Sequence, residues 1–565
     1  MLKKESILVV FGDELPQETH KYDEIFTAEK LKEFIEPGSI YEASTFVREL
    51  SLLKLPNGER LTKSSTYQGY ELWWLYYNSI FTYFCLPYTQ YKKLLEYLRN
   101  FENVFFYHPP YKILFTYYLL AYGCKVTTLR ESGSRLHLGI LIQVLITLLS
   151  IPVLVLKRPP ISVFIGDKFE KGKDYDFRMR YVYHELRERQ VSFVEFIRSL
   201  ESWERVLEHF LVRKRPVIYS EAVVWLARFG NLFESGSEGI KTVYGDPFEQ
   251  FKFLSASHYI RNVDDDIRAI KMMKWILKLI GVKSSIFTAA LDRNYHTVFG
   301  CKLNGIPTVG ILHGVASQYY NVYDFIPTYD GKKDLALDKY GVWSEWWRNY
   351  YVNNSKAYRP EQLYVSGPMR PLEKENSERS DLNTDSKGLI LNSGSIKVLF
   401  VSEQLAVASE VIPYLERLLD EPNIKMSIIF RQYRDGFKDW LVKNNPRLLE
   451  HPNLRVVQSS LPEAINDAEV AVGTMSTAVL ETLLALKIPV FFRTQKWGDY
   501  FNLKEYDESS SFFAENPDEL VEKIKKVRIV KLDTLKDLQK RFFGDPYQNG
   551  SKWIVDQAIS SLFIK

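Results

Sequence analysis

The chain has 565 residues, is 46% hydrophobic, and carries 74 basic against 70 acidic residues for a formal net charge of +4. That charge is too small to imply a nucleic-acid partner, and the length suits two to four domains with sizeable cores. Cys85, Cys124 and Cys301 stand far apart with no CxxC pair, which argues against a disulfide framework or a structural zinc site.

The N-terminal apolar run "SILVVFG" is short for a signal peptide and reads as a first strand, so a cytoplasmic protein is expected. Aromatic-rich helical sequence fills 70–100. "NVFFYH" (103–108) is a strand, Pro109 and Pro110 open a helix, and "KVTTLR" (125–130) is another strand. Residues 138–156, "LGILIQVLITLLSIPVLVL", carry no charge and lie near the lower limit for a membrane span, with Arg135, Lys157 and Arg158 flanking them. Three readings stay open: a core helix running into a strand, a helix lying in one leaflet, or a span. "ISVFIGD" (161–167) is a strand, and 168–235 reads as charged, solvated helix. From 264 the rhythm tightens: a helix over "DIRAIKMMKWILKLIG", strand "SSIFTAA", helix "NYHTVFGCKLNG", then strands "TVGIL", "YGVWS" and "QLYVSG". Such alternation implies a parallel sheet covered by helices.

Residues 373–394 are polar and loop-forming and make the best linker. A second alternation follows, with strands "IKVLFVS", "KMSIIFR", "LRVVQ", "AEVAVG" and "IPVFFR", and amphipathic helices "PDELVEKIKKV" and "SKWIVDQAISSLFI" close the chain. The fold class is therefore α/β. Two doubly wound, Rossmann-like domains are expected, with extra helices in the N-terminal half; that they face a cleft is what the resemblance named below implies. The expected boundaries are 1–372 with a helical insertion at about 168–260, a linker at 373–394, a second domain at 395–545, and a C-terminal helix at 546–565.

Ligands of such sheets bind beyond the carboxyl ends of strands. "TVGIL" runs into His313 and Gly314, a contact group followed by a residue free to turn. "VAVG" ends at Gly473, and Thr474, Ser476 and Thr477 follow at a helix start, where N–H groups and hydroxyls suit phosphate. Glu481 lies one turn past Thr477, where a carboxylate accepts from ribose hydroxyls. The plain alternative is an ordinary Ser/Thr cap and a solvated glutamate. No GxGxxG or GxxxxGK[ST] follows any strand, which argues against a dinucleotide oxidoreductase or a P-loop enzyme. "DDD" (264–266) reads as a helix cap, and His108 as a turn residue.

The order of these motifs resembles the two-domain GT-B glycosyltransferases, nearest the surface-polysaccharide group of Kdo-, sialyl- and CDP-glycerol-type enzymes. "ALDRNYHTVFGCKLNGIPTVGILHG", "YGVWSEWWRNYYV" with "LYVSGPMRP", "VLFVSEQL" and "GTMSTAVLETLLALKIPVFF" carry the likeness, over about 284–500. Where many relatives have His-Pro after "SIIFR", this chain has "FRQYRDG". The likeness implies a nucleotide sugar held by the C-terminal domain through Ser402, Gly473, Thr474, Ser476, Thr477 and Glu481. Gly314 lies opposite, and Arg431 or Arg434 supplies charge. It implies a glycan or polyprenyl-linked acceptor on the N-terminal side, no metal and no cofactor besides the donor substrate.

An inverting transfer needs a base for the acceptor hydroxyl. His313, Asp13 or Glu14 after the first strand, and Asp292 are the candidates, with His313 slightly favoured as a ligand contact and Asp292 as a helix cap. The expectation is a glycosyltransferase at the inner face of the cell membrane. A sugar-nucleotide epimerase of the same fold and a non-catalytic scaffold in polysaccharide assembly are the rivals.

Overall fold

The computed structural model describes residues 4–563 except 13, 17–18, 131–137, 167–172, 200, 230–243, 262, 289–294, 315–316, 321–323, 373–393, 404, 431–435 and 507–511. Asp13, Asp292, Arg135, Arg431, Arg434 and nearly all of the expected linker lie outside the described residues.

Three parallel sheets organise the chain. The first has the order β2-β1-β5-β6, from β1 (Lys4–Val10), β2 (Glu24–Phe26), β5 (Phe101–Tyr107) and β6 (Lys125–Arg130). A small hairpin of β3 (Thr66–Tyr67) and β4 (Tyr70–Glu71) lies apart from it. Ile7 to Val10 are wholly buried, as expected of a parallel strand covered on both faces.

The second sheet has seven strands in the order β13-β12-β11-β10-β7-β8-β9. They are β7 (Ile161–Gly166), β8 (Phe193–Arg198), β9 (Val217–Tyr219), β10 (Ser284–Phe287), β11 (Thr308–Ile311), β12 (Lys339–Val342) and β13 (Leu363–Val365). The third has six, in the order β16-β15-β14-β17-β18-β19: β14 (Ile396–Val401), β15 (Ile424–Ile429), β16 (Leu454–Val457), β17 (Val470–Gly473), β18 (Ile488–Phe492) and β19 (Phe513–Ala514). Counted from its own first strand, each of these two sheets runs 3-2-1-4-5-6, the Rossmann-like order, and the larger adds a seventh strand. The two expected doubly wound units are present.

Their content differs from the sequence reading in three places. The first strand belongs to a separate four-stranded sheet, so the Rossmann-like N-terminal unit begins at Ile161 rather than at residue 1. The segment read as a helical insertion supplies β8 and β9 as well as helices. Its charge misled because Glu195 of β8 is buried, held by the Tyr183 hydroxyl and by Arg215 at 2.6 Å. The C-terminal helix Gly550–Ser560 crosses back onto the seven-stranded sheet, where Ile554, Val555 and Ala558 share one buried cluster with Ile161, Val163, Ile286 and Val309.

The apolar segment is one helix, Leu138–Lys157, with Pro152 inside it. No strand follows from its own sequence. Its buried face carries Gln143, Thr147 and Ser150, while Leu141, Leu145, Leu148, Leu149 and Leu156 are exposed, Leu156 by 86%. Ile146 and Leu154 are buried beside these polar groups, so the helix turns a mixed face inward and an almost wholly apolar one outward. The inward hydroxyls have partners: Ser150 Oγ accepts from Val217 N–H at 3.2 Å, and Thr147 Oγ1 from Tyr219 N–H at 3.0 Å.

Candidate functional site: facing carboxyl edges of two sheets

The six-stranded sheet reverses its strand order between β14 and β17, where a crevice is expected. After Val401 come the buried Ser402 and Glu403. Oε1 of Glu403 accepts the N–H groups of Thr474 at 3.0 Å, Met475 at 3.0 Å and Ser476 at 2.7 Å, and its Oε2 takes the Thr474 hydroxyl. A Cβ on Gly473 would stand 2.9 Å from that Oε1 and 2.8 Å from Val479 Cγ2, so only glycine lets the carboxylate seat. Burial pushes the Glu403 carboxyl above its ordinary range, and the bonds from Thr474, Met475 and Ser476 pull it back.

This corrects the expectation for Thr474 and Ser476. Their N–H groups, offered to a phosphate in the sequence reading, are satisfied by an internal carboxylate 71 and 73 residues upstream. The Ser476 hydroxyl caps its own turn by accepting from Ala478 N–H at 3.2 Å. The long helix expected there is a four-residue helix, Thr477–Leu480, tightening into a 3₁₀ turn over Glu481–Ala485. It ends at Leu486 with φ of 51°, because the chain must turn back at once to pair β18 with β17.

At the edge of the seven-stranded sheet, Leu312 leaves β11 donating its N–H to Gly341 O at 2.8 Å, and its own carbonyl accepts Trp343 Nε1–H at 2.6 Å. His313, next in line, is exposed. Gly314 does not occupy the left-handed region, so the expected freedom to turn is not what it supplies. Its Cα instead faces the other sheet: a Cβ there would stand 3.5 Å from Thr477 Oγ1. Two further links join the same edges. Ser317 N–H donates to Tyr500 OH at 3.3 Å, and Arg370, just past β13, acts electrostatically on Glu481. Glu481 is partly buried; desolvation raises its carboxyl, and Arg370 lowers it. The two carboxyl edges therefore face each other, with His313, Gly314, Thr477, Glu481 and Arg370 along the seam.

A second polar cluster lies past the ends of β8 to β10. Asp266 is buried, accepts the Tyr76 hydroxyl, and pairs at 2.9 Å with His296 Nε2, with Arg228 Nη2 at 3.8 Å. Burial would raise the Asp266 carboxyl, but the His296 and Tyr76 bonds and Arg228 outweigh it and hold it low. The "DDD" run is thus more than a cap: its third aspartate anchors the helix that begins at Tyr295. His296, in the first turn of the helix that the sequence reading began at "NYH", is its partner there. Among the described residues no group of three or more His, Cys, Asp or Glu could hold a metal ion.

No family model matches the sequence, and no curated protein does. Among solved structures, the chain is similar to a UDP-GlcNAc 2-epimerase from Neisseria meningitidis at 13% identity and a TM-score of 0.40, over 71% of this chain and 99% of that one. It is similar to a glycosyltransferase from Rickettsia africae at 10% identity and 0.40, over 72% and 99%. MurG from Acinetobacter baumannii aligns at 11% and 0.42, over 71% and 100%. The fold itself rests on the strand orders given above.

Proposed function

We propose that the chain is a GT-B-type glycosyltransferase that moves a sugar from a nucleotide-sugar donor to a cell-surface glycan or lipid-linked acceptor, without a metal ion. The observation that carries this reading is the approach of Gly314 to Thr477 across two facing carboxyl edges, with Glu481 and Arg370 beside them. In this reading Thr477 and Arg370 meet the donor phosphates, since a guanidinium suits the charge of the departing phosphate. Glu481 accepts from ribose hydroxyls. The acceptor hydroxyl loses its proton, attacks the anomeric carbon, and the bond from that carbon to the phosphate oxygen breaks. His313 contacts the sugar or takes that proton.

The exposed leucines of Leu138–Lys157 continue into Leu207 and Leu211 of the neighbouring helix Trp203–Arg213. Lys157, Arg158 and Lys214 are exposed at the ends of these helices. This reading lays that strip on an anionic bilayer at the cytoplasmic side, near a lipid-linked acceptor, with cations at the headgroups. Flotation with phosphatidylglycerol vesicles tests it: Leu145→Glu with Leu149→Glu should abolish binding, and equal binding by the variant would reject it.

One observation favours a second reading, a non-catalytic scaffold: the N–H groups best placed for a phosphate are taken by Glu403. Incubating the full chain with a panel of nucleotide sugars separates the possibilities. Nucleotide release that requires an acceptor supports transfer. Epimerised donor without acceptor means an epimerase, and no nucleotide binding at all leaves the scaffold.

A further inference from the structure

A cavity of about 370 Å³ opens beside the seam, on the helix Glu345–Asn354. Trp346, Asn349, Tyr350 and Asn353 recur at i, i+3, i+4 and i+7, so they share one face of that helix, while Trp347 and Tyr351 point into the core. The opposite walls are Gln318 and Tyr319, which follow His313 by five and six residues, and Asn502 from the six-stranded unit. The aromatic parts are braced. The Trp346 and Tyr350 rings stack at 5.2 Å and 21°, Phe542 meets Trp346 edge-on, and Tyr319 packs on Tyr41 with centroids 4.3 Å apart. Tyr350 OH accepts Gln318 N–H at 3.2 Å, which ties the loop to the helix.

The chemistry of the lining is narrow. It has amides and aromatic rings and no charged side chain. A phosphate, a carboxylate or a metal ion would find no counter-charge there. An amide offers donors and an acceptor together, which matches vicinal hydroxyls, and an aromatic face covers the C–H face of a sugar ring. The volume lies in the range of about 300–1,000 Å³ usual for small-ligand sites.

We propose that this cavity is a binding subsite for an uncharged oligosaccharide. That the bound glycan is the acceptor rests on the function proposed above; that it is a neutral glycan does not. The test uses the full chain without nucleotide, titrated with maltotriose, cellotriose, chitotriose and mannotriose, and followed by saturation-transfer NMR and tryptophan fluorescence. At least one should bind. Trp346→Ala, and separately Asn349→Ala with Asn353→Ala, should weaken it at least tenfold. Because Asn349 and Asn353 are exposed, the double variant keeps its melting temperature. Failure of all four probes, or binding that survives both variants, overturns the proposal. Calorimetry with nucleotide sugars on the same protein separates the two claims. Glycan binding without nucleotide binding removes the transferase and keeps the subsite, and the converse removes the subsite alone.

Discussion

The two doubly wound sheets share one strand order and treat their carboxyl edges in opposite ways. In the six-stranded sheet the switch point is filled from within: Glu403 closes over Thr474, Met475 and Ser476, and Gly473 makes room for it. In the seven-stranded sheet an exposed His313 stands two residues past β11, and Gln318 and Tyr319 further on wall an open cavity. Strand order thus says where a crevice is expected and leaves open what fills it. At Thr474 to Ser476 one edge is closed from within, while the other is open at His313.

Substitutions on each side sharpen that contrast. Glu403→Ala would strand two buried N–H groups and a half-buried third, each buried one costing about 1–3 kcal/mol, so chemical denaturation should show a loss on the order of 3 kcal/mol. A loss under about 1 kcal/mol would mean that the filled edge contributes little. His313→Ala should reverse the pattern, with transfer falling by about 10²-fold or more and stability within about 0.5 kcal/mol of the parent. If it unfolded the protein while specific activity stayed normal, both edges would be structural. Glu481→Ala should weaken nucleotide binding by roughly tenfold, the scale of one lost hydrogen bond with charge, without unfolding the chain; unchanged calorimetric affinity would put the donor elsewhere.

The smallest effect concerns pH. The Glu403 carboxyl is raised by burial, so the folded state holds its proton to higher pH than the unfolded chain. Its contribution is therefore fullest below the unfolded value of about 4.5 and declines as pH rises through the raised value. Glu403→Gln should flatten that slope, and a parallel slope in the variant would assign it to another group.

The sequence showed the strands that are continuous apolar runs, such as Ile161–Gly166 and Ile396–Val401, because burial on both faces leaves no room for polar residues. It hid β8, whose Glu195 is buried through partners on other elements, and β19, which is two residues long. Nothing local could tell that β1 belongs to a sheet of its own, since sheet membership is decided by pairings such as Val9 with Phe106. In the site, strand ends marked His313-Gly314 and Thr477 separately, and only the likeness to GT-B enzymes implied that they face each other. Glu403 was not legible, since a carboxylate capping a turn 71 to 73 residues away leaves no spacing to read. Arg370 escaped for the same reason.

The inward hydroxyls of Leu138–Lys157 have a further consequence. β9 is the outermost strand of its sheet, and Thr147 and Ser150 receive two of the N–H groups that such a strand otherwise offers to any passing chain. The helix is therefore a guard against edge-to-edge polymerisation. Moving the helix off the sheet would unmask that edge.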